Sequence, residues 1–140
     1  MPLTPDEREK FLAEPHIGAI SVNEEGRAPL TLPIWYQYTP GGELWVITAA
    51  DSKKARLIEA AGRFSLMVDR VAPTLRYVSV EGPVVRAEKG TEEQLREMTA
   101  RYLPADKVEG YLQYSAENLG ENTVFRMRPE HWYSADLGQV

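Results

Sequence analysis

The sequence contains no cysteine, which removes disulfides, thiolate catalysis and cysteine-ligated zinc or iron–sulfur centres. Histidine is almost as scarce. His16 and His131 stand far apart with no carboxylate at ligand spacing, so no metal site is expected. No apolar run approaches the roughly 18 residues of a membrane span, and the opening Met-Pro-Leu-Thr-Pro-Asp-Glu-Arg has no apolar signal core. The expectation is a soluble, cytoplasmic protein that does not engage a membrane. Bases are in the minority, 16 Lys+Arg against 21 Asp+Glu for a formal net charge of -5, which argues against a nucleic-acid partner. The chain also lacks the Gly-rich run and Gly-Lys-Ser/Thr order of a P-loop, and the Gly-x-Ser-x-Gly of a hydrolase elbow. No residue stands out as a general base, so the catalytic residues stay unassigned. That absence favours chemistry carried by a cofactor.

What remains is ordinary globular material: 140 residues, 43% hydrophobic and 26% charged, without repeats or linkers. A single domain over residues 1–140 follows. Thr4-Pro5-Asp6-Glu7 is a capping box with proline at the first helical position, and it predicts a helix to about Ala13, stopped by Pro15. Ile17–Val22, Leu30–Tyr38 and Leu44–Thr48 read as three strands of an antiparallel meander, joined by turn residues at Asn23–Gly26 and Thr39–Gly42. Ser52 to Ala61 is helical, and Phe64–Val68 and Arg76–Ala87 are strands, the second with a bulge or edge bend at Gly82-Pro83. A second capping box, Thr91–Gln94, opens a helix with a Leu95, Met98, Thr99, Tyr102 stripe, which Pro104 closes. A short helix from Asp106 follows, then strands at Thr123–Arg128 and Trp132–Ala135. The fold class is α+β, mainly β: about six antiparallel strands closing into a barrel or sandwich, with peripheral helices.

Two stretches carry candidate chemistry. Thr48-Ala49-Ala50-Asp51-Ser52-Lys53-Lys54 lies where a strand ends and a helix begins, and cations in a first helical turn oppose the macrodipole. Either an anion bound by Ser52, Lys53, Lys54 and the free N–H groups explains them, or they are a solvated basic surface with Ser52 as an N-cap. In Thr31–Tyr38, Leu32, Ile34, Tyr36 and Tyr38 share one face, and Thr31, Pro33, Trp35 and Gln37 the other. A strand with large groups on both faces is central in a core, or turns one face to an interface or a flat ligand. Pro33 marks an edge or bulge, and Trp35 and Tyr36 beside it would suit a planar ring.

The order of Gly18-Ala19-Ile20-Ser21-Val22, Gly26-Arg27-Ala28-Pro29, Pro33-Ile34-Trp35-Tyr36, Glu43–Thr48, Asp51–Leu57 and Val80-Glu81-Gly82-Pro83-Val84 resembles the pyridoxamine 5′-phosphate oxidase-like, FMN-binding split-barrel superfamily. Within it, the Trp-Tyr pair and compact length are most similar to the flavin/deazaflavin oxidoreductases of the B group. Pyridoxamine phosphate oxidase itself is longer and ends in an arginine/histidine signature that this chain lacks. The resemblance implies a homodimer of split β-barrels with cofactors in grooves at the dimer interface. It implies that Ser52, Lys53 and Lys54 hold the cofactor phosphate, and that Pro33, Ile34 and Trp35, with Thr48 nearby, lie against the ring. Tyr77 or Trp132 of a second subunit would complete the pocket. The function so implied is an oxidoreductase passing a hydride between coenzyme F420, or next FMN, and a small organic substrate. F420 comes first because Lys53, Lys54, Arg56 and Arg63 could meet its acidic tail. A non-catalytic flavin or deazaflavin carrier is the alternative, and a purely structural barrel is the third.

Overall fold

Thr4 starts the first helix, α1 (Pro5–Ala13), as its sequence dictates. Its hydroxyl accepts from the Glu7 N–H at 3.2 Å, and the Glu7 carboxylate accepts from the Thr4 N–H at 3.0 Å. The other end of α1 is held by tertiary partners. The buried Tyr36 hydroxyl donates to the Leu12 carbonyl at 2.6 Å, and the Arg101 guanidinium donates to the carbonyls of Ala13 at 3.0 Å and Glu14 at 2.9 Å. Carbonyls left over by the helix geometry are thereby satisfied.

The computed structural model describes residues 1–139. Its strands are β1 (Gly18–Val22), β2 (Leu30–Ile34), β3 (Tyr36–Tyr38), β4 (Leu44–Ala49), β5 (Arg63–Arg70), β6 (Arg76–Lys89), β7 (Asn122–Met127) and β8 (His131–Asp136). Every pairing is antiparallel. The helices between them are α2 (Lys53–Ala61), α3 (Glu92–Tyr102) and α4 (Ala105–Asn118). The α+β, mainly β class holds, with eight strands in place of about six.

The strands run β2-β1-β5-β6-β7-β4-β3, with β8 also pairing with β6. The two end strands are consecutive in the chain, separated by Trp35 alone. The sheet therefore curls round on itself, and the split in the barrel falls at Trp35.

Three expectations need correction. The single strand Leu30–Tyr38 is two strands: its first half pairs with β1 (Gly18 opposite Ile34), and its second half pairs with β4 (Tyr36 opposite Val46). Side-chain alternation runs through the break, so periodicity alone does not reveal it. Pro33 does sit on an edge strand, because β2 has no partner besides β1. Of the two readings of Gly82-Pro83, the bend at an edge fails, and a bulge-like irregularity falls just beyond it. β6 pairs with β5 and β8 up to this region and with β7 beyond it, with a register shift between Val84 and Arg86. A Cβ on Gly82 would lie 1.8 Å from the Arg128 carbonyl oxygen, so only glycine lets the strands pass this closely. Finally, α4 extends over 14 residues where a short helix was expected.

The main core fills the barrel, with Ile20, Leu44, Val46, Leu66, Val80 and Phe125 all fully buried. A smaller cluster lies on the outer face of β4 and β7, where Trp45, Met98 and Val124 pack with Trp35, Ile47 and Tyr102. It docks α3 against the sheet and so fixes the roof of the cleft beside Trp35.

Candidate functional site

A cleft of about 470 Å³ opens beside the split. Ile17, Pro33, Ile34 and Trp35 form one wall, and Ile47, Thr48 and Ala49 form the floor. Ser52 and Lys54 stand at one end. Leu95 of α3, Tyr111 and Ser115 of α4, Leu119 just past its end and Asn122 of β7 supply the roof. Six of the seven residues expected from the sequence, Pro33, Ile34, Trp35, Thr48, Ser52 and Lys54, thus line one space of a size suited to a small organic ligand.

Lys53 is the seventh, and it lies outside that lining. Its ammonium group is 2.9 Å from the Glu24 carboxylate, whose pKa it holds below the ordinary range by that hydrogen bond. Consecutive residues on a helix do not face the same way, so Lys53 and Lys54 cannot both point along the cleft. Lys54 makes no ion pair among the described residues and is the one charged side chain in the lining.

Around Lys54 the start of α2 is arranged for an anion. The Ser52 hydroxyl accepts from the Ala55 N–H at 3.1 Å and lies 3.5 Å from the buried Thr48 hydroxyl. The N–H groups of Lys53 and Lys54, as first-turn groups, have no intrahelical acceptor. The first turn carries no acidic residue, so nothing from the helix itself offsets its positive end.

Trp35 is half-buried and stacked on Tyr102, centroids 5.1 Å apart and planes 11° apart, with Tyr111 tilted against it at 5.4 Å. Burial raises the Tyr111 hydroxyl pKa above its ordinary value. Tyr36 turns the other way, into the barrel, and is fully buried. It anchors α1 and takes no part in the cleft.

The remaining basic residues are engaged elsewhere. Arg56 donates to the Asp51 carbonyl at 2.6 Å, and Arg63 lies 3.8 Å from Glu81 and 3.7 Å from Glu130. No four-cation cluster forms around the cleft. Trp132 packs within its own barrel, edge-on to Tyr38 and under the Arg8 guanidinium at 4.6 Å. Sequence reasoning missed the roof. Tyr111, Ser115 and Leu119 recur at i, i+4 and i+8 along α4 and its C-cap, and that stripe was the available signal.

Residues 4–136 match the family model of pyridoxamine 5′-phosphate oxidase. The chain belongs to that family, and its fold is the flavin-binding split barrel. The match reaches well past Val84, where the motifs legible in the sequence end. No curated protein matches. Among solved structures, an F420 reductase superposes with a TM-score of 0.71 at 21% identity, over 89% of this chain and 94% of its own. A conserved hypothetical protein of Mycobacterium tuberculosis gives 0.70 at 23% identity, over 96% and 85% of the two chains. An FAD-binding protein of Mesorhizobium loti gives 0.63 at 20%, over 97% and 95%. At these identities the likeness is one of fold. No helix among the described residues is long and apolar enough to cross a membrane.

Proposed function

We propose that this protein is an oxidoreductase of the flavin/deazaflavin B group that holds a phosphate-bearing flavin-type cofactor in the Trp35–Lys54 cleft. The observation that carries the reading is Lys54: a cation at a helix start with no ion pair among the described residues, sharing one cleft with an aromatic wall. The residues present fit such a cofactor. Lys54, the Ser52 hydroxyl and the first-turn N–H groups of α2 would hold the phosphate, and Thr48 would support Ser52. Pro33, Ile34 and Trp35 would lie against the ring, and Tyr111 and Leu119 would keep water from it. When bound, the cofactor supplies hydride transfer to or from a small organic substrate.

Coenzyme F420 is the first choice and FMN the second. The F420 reductase among the structural relatives supports that order. The acidic-tail argument does not, since Lys53, Arg56 and Arg63 are occupied elsewhere. The working unit is a homodimer. β2 is an edge strand bearing exposed Pro33 and Leu32, and Ile17 at the cleft is 56% exposed, an apolar rim that a second copy would cover.

The three tryptophans permit a direct test by fluorescence titration with coenzyme F420 and, separately, with FMN. Saturable quenching by either, reduced in Trp35→Ala, supports the reading. Binding without turnover of any acceptor would point to a carrier. Binding of neither would overturn it.

A further inference from the structure

The cofactor cleft has a neighbour. A second cavity of about 560 Å³ lies on the far side of α4, enclosed by the start of α3, α4 and the loops flanking β7. It is the larger of the two, and Leu95, Ser115 and Asn122 line both. These residues separate the two cavities under α4, a helix that packs chiefly on α3. Ser115 stands in the common wall, 2% exposed, with its hydroxyl reachable from the cavities and no hydrogen bond from it to another protein group among the described residues. The Asn122 side-chain amide beside it likewise has no protein partner among the described residues, while its backbone carbonyl accepts from the Gly90 N–H at 2.8 Å. A hydroxyl and an amide in one wall, reachable from both cavities, can each take up a hydrogen bond from a ligand or water.

The chemistry of the walls is mixed, with acids outnumbering bases. Leu95, Leu112 and Ala116 give an apolar surface, and the charged lining is Lys89 with Glu92, Glu109 and Glu121. Lys89 is 3.2 Å from Glu121, and Arg96, outside the lining, serves both Glu109 and Glu92. With these pairs counted, one negative charge remains uncompensated. The two cavities are thus opposite in character: one is closed by a free lysine, the other rimmed by surplus carboxylate.

We propose that the second cavity receives the second reactant, an uncharged or singly cationic organic molecule that offers a hydrogen-bonding group to Ser115 and Asn122. Its naming as reactant rests on the function proposed above; its existence as a ligand site does not. Carboxylates and phosphates are turned away at the rim. A molecule seated there adjoins whatever lies in the Trp35 cleft through the Leu95–Ser115–Asn122 wall.

Three probes of one shape separate charge from fit: benzamide, benzamidinium and benzoate. Each is titrated into isotope-labelled protein while the backbone amide resonances of Leu112, Ala116 and Gly120 are followed. Benzamide and benzamidinium should shift these resonances saturably, and benzoate should bind about tenfold more weakly or not at all. Ala116→Trp, introduced from an exposed position, should fill the cavity and abolish the shifts while flavin or F420 titration is unchanged. Lys54→Ala should do the reverse, so failure of the cofactor reading and failure of this one are told apart. The proposal is overturned if no probe moves these resonances, if benzoate binds best, or if Ala116→Trp leaves the shifts intact.

Discussion

The Tyr102 hydroxyl closes the split of the barrel at Tyr36. It accepts from the Tyr36 N–H at 3.2 Å and donates to the His16 carbonyl at 2.7 Å, with the Tyr36 carbonyl at 3.1 Å. The ring of Tyr102 meanwhile stacks on Trp35. One side chain of α3 thus bonds the Tyr36 backbone where the chain passes from β2 to β3 and sets the wall of the cleft.

Tyr102→Phe keeps the stack and removes the bridge. It leaves the Tyr36 N–H without its partner, so the variant should lose about 1–3 kcal/mol of stability in urea unfolding. An unchanged midpoint would mean that water serves the split equally well.

Gly82 offers a test of the barrel itself. Gly82→Ala drives a methyl into the Arg128 carbonyl, and forcing a core this way costs typically 1–3 kcal/mol. Gly26→Ala is a useful contrast, since its Cβ would meet nothing and the cost there comes only from the positive φ of 78°. The Gly82 variant should melt lower than the Gly26 variant.

Asp136 makes stability depend on acid. Burial alone would raise its pKa, but the Arg76 guanidinium at 2.8 Å, the Gly138 N–H and the Thr74 hydroxyl outweigh burial and hold the carboxyl below its ordinary value. A depressed folded-state pKa means stabilisation present above the unfolded value, near ~3.9, and lost as pH falls through the folded one. The melting temperature should therefore fall on acidification below about pH 4. Asp136→Asn should melt lower at neutral pH and show a shallower acid limb. Parallel curves would show that Asp136 is not the group responsible.

Much of this was legible in the chain. Thr4–Glu7 and Thr91–Gln94 announce their helices because a capping box is written within four residues, and both form as read. Ser52 at a strand-to-helix junction is equally local. The break at Trp35 was not legible, because it depends on β1 and β4 competing for one strand and on a tyrosine 66 residues away in sequence. Non-local pairing also hid that β4 lies beside β7. Lys53 and Lys54 look equivalent as neighbours in sequence. Only the placement of Glu24 and the helix geometry separates them.

That separation is also the most direct test of the central claim. Wild type, Lys53→Ala and Lys54→Ala should be titrated with coenzyme F420 and with FMN under one set of conditions. If Lys54 meets the cofactor phosphate, Lys54→Ala should weaken binding about 10- to 100-fold, the worth of a charge-assisted hydrogen bond. Lys53→Ala loses only a partly exposed ion pair away from the cleft and should bind within about threefold of wild type. Undiminished binding in Lys54→Ala, or an equal loss in Lys53→Ala, would contradict the account.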